Sequence, residues 1–310
     1  MKRKLKKEVK IALFLIIIIT ISIILIKKIN YKKSNEFKLY KIGYSKEETS
    51  IILKLKEEEI ETIINAYSYN EYLIKILKEK YFMFKNLNRY LNYYKENSNL
   101  SSKEIVEIVN VNRDKPYYTE IKSTDITKGT HALVNKYYGL NKEFKPNDLV
   151  NVPLQYAYSE NKLSKEANNN FIKMIKDGKE NGFNIIARVS FRDYNSQDAS
   201  YKRNEKIDGK EKTDKLIARA GHSEHQLGLS IDIALYNKKY DKLENTEEYN
   251  WLIENCHKYG FILRYPKEKE NITGFSFEPW HYRYVGLDIA KYIYDNNVTF
   301  DEYYAYYIEK

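Results

Sequence analysis

From Ile11 to Ile26 the chain reads IALFLIIIITISIILI, with no charge, no proline and no glycine. A run apolar on every side of a helix belongs either in the core of a soluble domain or in a bilayer. Its position directly behind the basic cluster Lys2, Arg3, Lys4, Lys6, Lys7 and Lys10 favours the bilayer. Spanning takes about 20 residues, so Val9 and the snorkelling side chains of Lys10, Lys27 and Lys28 are needed to lengthen the segment. No small-x-small cleavage signal follows; the chain continues Lys27-Lys28-Ile29-Asn30-Tyr31. The expectation is an uncleaved signal-anchor: residues 1–10 a cytoplasmic basic tail, 11–28 a single membrane span, and everything beyond it exported.

The remaining chain is long enough for a good-sized core and a smaller module. Residues 29–100 are polar, rich in Lys, Glu and Tyr and almost free of Pro and Gly, with Ser45 and Glu48 spaced as a capping box. Apolar residues at helical spacing run from Ile51 to Ile60 and from Ile74 to Tyr94, which predicts a helical module or stalk. Asn97–Ser102 is a polar break, and residues 101–310 form the second expected domain. There, Ala167, Phe171, Met174 and Ile175 mark one helix face, and Ile185–Val189 reads as a buried strand. Residues 195–206 and 210–218 read as helices, Gly228–Leu235 alternates like a strand, and Phe261–Tyr265 and Gly274–Glu278 look like further strands. A final helix over 287–294 precedes a Tyr-rich tail. Helices and strands mix without a βαβ rhythm, so the expected fold class is α+β, with a small, mostly antiparallel sheet flanked by helices.

The formal net charge of +10 makes an anionic partner worth weighing. Basic residues are interspersed with acidic ones and no nucleic-acid motif occurs, so nucleic acid is set aside. The single cysteine, Cys256, excludes an intrachain disulfide and leaves any metal site to His and carboxylates. Of the histidines, His131 and His257 lack acidic partners at ligand spacing, and His222 and His225 are bracketed by Gly221 and Gly228, which suits a loop. His225 and Asp232, one on a loop and one on a strand across a glycine turn, can converge on one point as ligands must. His281 closes Glu278-Pro279-Trp280-His281, where the proline stiffens the approach and Trp280 can wall a pocket.

Together these segments resemble the zinc D-alanyl-D-alanine carboxypeptidases of the VanY type, with their VanX-type dipeptidase and L,D-carboxypeptidase relatives. The resemblance runs over residues 109–286. The family pattern S-x-H-x-x-G-x-A-x-D is matched by Ser223, His225, Gly228 and Asp232, with Ser230 where alanine would stand. E-x-W-H is matched by Glu278, Trp280 and His281, and the S-G-Y-R-S-x-x-x-Q segment by Val189–Gln197, with Ser190 in the glycine position and Arg192 and Gln197 kept. The resemblance implies one Zn²⁺ held by His225, Asp232 and His281, and Glu278 as the group that takes a proton from water and passes it to the departing amine. It implies Arg192 for the substrate carboxylate or the developing oxyanion, with Gln197, Ser223 and Trp280 also lining the substrate site. The expected activity is removal of the terminal D-Ala from peptidoglycan stem peptides outside the cell. An L,D-carboxypeptidase, a dipeptidase or endopeptidase of the same clan, or a non-catalytic zinc-containing wall-binding module are the alternatives.

Overall fold

The computed structural model describes residues 6–239 and 241–309; Lys2, Arg3 and Lys4 of the basic cluster lie outside them. The chain divides into two compact units, Met1–Val106 and Glu107–Lys310.

The first unit opens with α1 (Lys7–Lys33), longer than the apolar run alone. Within it, Val9–Lys33 is long and apolar enough to cross a membrane, and none of that span is buried by protein. The same length and composition fit a signal sequence. Five short helices follow: α2 (Asn35–Ile42), α3 (Lys46–Ile52), α4 (Glu57–Ala66), α5 (Glu71–Leu77) and α6 (Leu87–Glu96). Ser45 and Glu48 form the expected reciprocal cap of α3. The helices bury Leu39, Ile52, Ile63, Leu73, Ile76 and Tyr90 completely, so this unit has a core of its own. Helix α7 (Ser102–Asn110) carries the division between the units.

The second unit contains two short pairs, β1 (Lys122–Ser123) with β2 (Tyr138–Gly139) and β3 (Leu149–Asn151) with β4 (Lys162–Ser164). Helix α8 (Lys165–Glu180) buries Ala167, Phe171, Met174 and Ile175, the face marked by their spacing. The main sheet has four strands in the order β5-β6-β8-β7: β5 (Ile185–Val189), β6 (Ser230–Leu235), β8 (His281–Tyr284) and β7 (Phe261–Leu263). Every pairing within it is antiparallel. Helices α9 (Tyr194–Asp208) and α10 (Lys210–Leu216) lie between β5 and β6 in sequence, and α11 (Glu247–Asn255) precedes β7. After β7 come α12 (Glu270–Thr273), α13 (Leu287–Asn296) and α14 (Phe300–Tyr303).

The sheet is two-faced because side chains alternate along each strand. Ile231, Ile233, Tyr282 and Tyr284 point into the main core, where they meet Phe171 and Met174 of α8 and Leu252 of α11. The intervening residues, Ser230, Asp232, His281 and Arg283, share the opposite face.

One expectation is corrected. Gly274–Glu278 is not a strand: α12 ends at Gly274, and an irregular loop through Pro279 delivers the chain to β8, which begins at His281. Proline lacks the N–H a ladder needs, so the strand starts after it. Thr246 caps α11, its hydroxyl accepting from the Tyr249 amide. The Tyr-rich tail folds as α14, capped reciprocally by Thr299 and Glu302, and runs on into one turn of π-helix over Tyr304–Ile308.

Candidate metal centre and active-site cleft

Asp232 and His281 face one another directly across the β6–β8 ladder. Directly opposed residues of an antiparallel pair lie on one face with their Cβ atoms about 4.5–5.5 Å apart, so strand register alone brings this carboxylate and this imidazole together. His281 Nδ1 lies 2.9 Å from Asp232 Oδ1. The third member arrives from the loop before β6. A 3₁₀ turn over Glu224–Leu227 ends at Gly228, whose φ of +67° is left-handed, and the chain then enters the strand. A Cβ at Gly228 would stand 2.6 Å from Leu149 Cδ2, so both conformation and space call for glycine there.

His225 Nε2 lies 3.5 Å from Asp232 Oδ1, and the two imidazole rings sit edge to face with centroids 4.9 Å apart. The other nitrogen of His225, Nδ1, is 2.6 Å from the Ser190 carbonyl oxygen. A carbonyl only accepts, so the ring proton sits on Nδ1 and the Nε2 lone pair is left facing the cluster. Ser190 is brought there by a register shift in β5 between Ala187 and Val189. The Arg192 amide then donates to the His225 carbonyl at 3.2 Å, so strand end and loop hold each other.

One ligand atom from each of His225, Asp232 and His281 lies within 4.8 Å of the others. Ligands about 2.0–2.2 Å from a common Zn²⁺ in a tetrahedron would stand about 3.3 Å from one another. The two contacts to Asp232 Oδ1, at 3.5 and 2.9 Å, bracket that value. Two imidazole nitrogens and a carboxylate oxygen are also a donor set that suits zinc, so the residues fit such an ion.

Glu278 stands beside this cluster, its Oε2 3.8 Å from His281 Nδ1. Its amide donates to the Tyr265 carbonyl at 3.1 Å and its carbonyl accepts from the His281 amide at 3.2 Å, so the Pro279 turn has a fixed entry and exit. Burial, with a further contribution from Asp232, pushes the Glu278 carboxyl up to about 7 against the pull of His281. Burial would also raise Asp232, but His225 and His281 outweigh it and hold its carboxyl well below the usual range. Burial lowers His225. It would lower His281 too, but the carboxylates of Asp232 and Glu224 outweigh it and raise that imidazole to about 9. Neighbouring groups pushed in opposite directions are typical of reactive sites.

The cleft over the cluster is lined by every residue expected to bind metal or substrate or to act in catalysis: Arg192, Gln197, Ser223, His225, Asp232, Glu278, Trp280 and His281. Arg192 donates to Gln197 Oε1 at 2.8 Å, and the Gln197 amide donates to the Ala218 carbonyl at 2.7 Å. Gln197 thereby fixes the guanidinium rather than standing free in the cleft. Asp193, next to Arg192 in sequence, caps α9 by accepting from the Ser196 amide. Trp280 is 42% exposed at the rim. His131, His222 and His257 stay outside the cluster: His222 Nδ1 contacts the Asn135 carbonyl oxygen, and His257 stacks on Tyr294.

The motifs did not reveal Tyr265, Phe275 or Glu224, which also line the cleft. Tyr265 lays its ring 5.1 Å from that of His281. Glu224 sits inside the Ser223–Asp232 motif at an unspecified position, and its adjacency to His225 is the one signal that could have marked it.

The family sequence model described as VanY, D-alanyl-D-alanine carboxypeptidase, matches residues 160–287, a span that holds all of these residues. The chain is 35% identical to YodJ of Bacillus subtilis (strain 168) over 204 residues, 62% of this chain and 75% of that protein. It is 31% identical to a D-alanyl-D-alanine carboxypeptidase of Enterococcus faecium over 242 residues, 71% of this chain and 76% of that one. Among solved structures it is similar to the LdcB LD-carboxypeptidase, at a TM-score of 0.56 and 34% identity, covering 61% of this chain and 91% of that one. It is also similar to the D,D-pentapeptidase VanY of a VanB-type resistance cassette, a glutamate-to-alanine variant in complex with Zn(II), at a TM-score of 0.50 and 28% identity, covering 56% and 98%. This chain belongs to the VanY family of D-alanyl-D-alanine carboxypeptidases.

Proposed function

We propose that the protein is a membrane-anchored zinc D,D-carboxypeptidase that removes the C-terminal D-Ala from peptidoglycan stem peptides on the outer side of the membrane. The observation that carries this reading is the convergence of His225 Nε2, Asp232 Oδ1 and His281 Nδ1, with the Glu278 carboxylate 3.8 Å from the last of them. Zn²⁺ bound there supplies Lewis-acid polarisation of a carbonyl oxygen and of water.

The chain's own groups supply the rest. His225, Asp232 and His281 hold the ion. Glu278 receives the proton of the attacking water and later gives it to the leaving amine, and a carboxyl raised toward neutral pH suits both directions. Arg192, pinned by Gln197, offers its planar N–H fork to the substrate's terminal carboxylate. Ser223 sits on the cleft wall to hydrogen-bond the same end of the substrate, and Trp280 at the rim covers the peptide behind it. The likeness to LdcB favours a second reading, an L,D-carboxypeptidase acting on tetrapeptide stems through the same groups.

In this proposal residues 11–28 are the signal-anchor that exports the catalytic domain, residues 29–100 a helical spacer, and residues 101–310 the carboxypeptidase domain. Span length and composition support the anchor, and the separate core of the first unit supports a folded spacer.

The test is to incubate the full chain in detergent with defined pentapeptide and tetrapeptide stems, with and without chelator, and to weigh the products. Loss of one terminal D-Ala from the pentapeptide, abolished by chelator and restored by Zn²⁺, is expected. Cleavage of the tetrapeptide alone would select the second reading, and cleavage of neither, with Zn²⁺ present, would sink both.

A further inference from the structure

The two nitrogens of His281 have different surroundings. Nδ1 faces the metal cluster, whereas Nε2 is buried without a hydrogen-bond partner. The carboxylate opposite it is Glu224, with Oε2 at 3.8 Å. That group is wholly enclosed, and its contacts lead away from the cleft. Glu224 Oε1 accepts from Arg264 Nε at 2.8 Å and faces Arg283 Nη1 at 3.2 Å, and Oε2 accepts from the Ser230 hydroxyl at 3.3 Å. Arg264 reaches on to Asp301 Oδ2 at 2.6 Å, and Asp301 Oδ1 accepts from the Asn135 amide at 2.7 Å. Arg283 donates to the carbonyls of Thr130 and Ala132 at 3.0 and 2.9 Å.

Two carboxylates and two guanidiniums thus form a charge-balanced group with no more than 2% of any side chain exposed. Burying four charges is costly, and well-packed apolar residues of the same volume often hold a fold as well. Stability alone therefore does not account for this group, while its inner end faces the back of a metal-site imidazole. An imidazole that ligates through one nitrogen characteristically gives its other N–H to a carboxylate, which fixes tautomer and ring orientation and raises ligand basicity. Ser230, which stands where the family pattern has alanine, contributes a hydrogen bond to the same carboxylate.

We propose that Glu224 is a positioning residue for the metal centre, holding the Nε2–H of His281 so that Nδ1 presents its lone pair to the ion. Arg264 and Asp301 make the C-terminal helix α14 part of that support. Asp301 lies beyond the residues 160–287 matched by the family, so the metal centre of this chain depends on a segment outside the matched domain. The inference rests on the metal-site reading above, and its test separates the two.

The full chain in detergent is stripped with chelator and titrated with Zn²⁺ against a chromophoric competitor, as wild type, Glu224→Gln and Asp301→Asn. Thermal melts and circular dichroism are recorded in parallel. Wild type should take up one Zn²⁺. Folded Glu224→Gln should bind about 10–100-fold more weakly, Asp301→Asn several-fold more weakly, and both should shift the visible spectrum of the Co²⁺-substituted protein. Wild-type Zn²⁺ affinity in either folded variant, whatever its melting temperature, would overturn the proposal and leave the metal site standing. Failure of wild type to bind Zn²⁺ would overturn the metal site itself. Should neither variant fold, zinc-loaded wild type decides by nitrogen-15 NMR: a downfield, hydrogen-bonded Nε2 proton on His281 supports the assignment, and an Nε2 proton at the unbonded position refutes it.

Discussion

At the scale of single residues, the proposed reaction gives Glu278 and Arg192 different parts, and their substitutions should part accordingly. Glu278→Gln keeps the shape of the turn and leaves the metal cluster intact. It should bind Zn²⁺ normally while kcat falls by about 10²–10⁴-fold, measured on a pentapeptide stem. Arg192→Ala removes a charge-assisted contact of about 1.5–3 kcal/mol, and Arg192→Lys keeps the charge but not the fork. Both should raise KM for a substrate with a free terminal carboxylate and have little effect on one whose terminus is amidated. Glu278 also carries a stability signature. In the metal-free protein its folded value, about 7, lies above the ordinary 4.5. Such a carboxyl contributes stability that is fully present below the unfolded value and is lost as pH rises through the folded one. Metal-free wild type should therefore lose stability relative to Glu278→Gln between pH 4.5 and 7, by on the order of 2–3 kcal/mol, read from denaturant midpoints at each pH.

At the scale of elements, the site is a product of one strand pair and one tight turn. Gly228→Ala puts a side chain where φ is +67° and Leu149 is already 2.6 Å away. The expected cost is about 1–3 kcal/mol in stability, with weakened Zn²⁺ binding because the turn carries His225; calorimetry and metal titration would check both. The members of the candidate site could be picked out in the sequence because the glycine turn, the strand alternation around Asp232 and the Glu-Pro-Trp-His segment are local patterns that together resemble a family. Alternation correctly put Asp232 on the opposite face from Ile231 and Ile233. The strand that carries His281 was not legible. Its two tyrosines suit a strand, but four residues just after the Pro279-Trp280 turn are too short a run to show alternation, and pairing with β6 and β7 is what makes them one. Arg264, Arg283 and Glu224 were equally hidden, since charged residues are almost never fully buried unless paired and their partners here are tens of residues away.

At the scale of the whole molecule, the first unit brings its own core and an apolar helix, and the second brings the chemistry. If the proposed anchor is uncleaved, the full-length chain should remain in the membrane fraction after an alkaline carbonate wash, with its second unit open to protease added to intact spheroplasts. A shortened, freely soluble product would instead identify α1 as a removed signal. The pairing of Asp232 with His281 has a consequence for folding itself. Sliding β8 by one residue against β6 would set Tyr282 opposite Asp232 and rotate His281 into the oily interior. A mispaired chain could look nearly native by helix content, yet it would have no place for the cation. Uptake of the proposed ion would thus discriminate correct assembly from near misses, and zinc withheld during synthesis would leave such errors without that check.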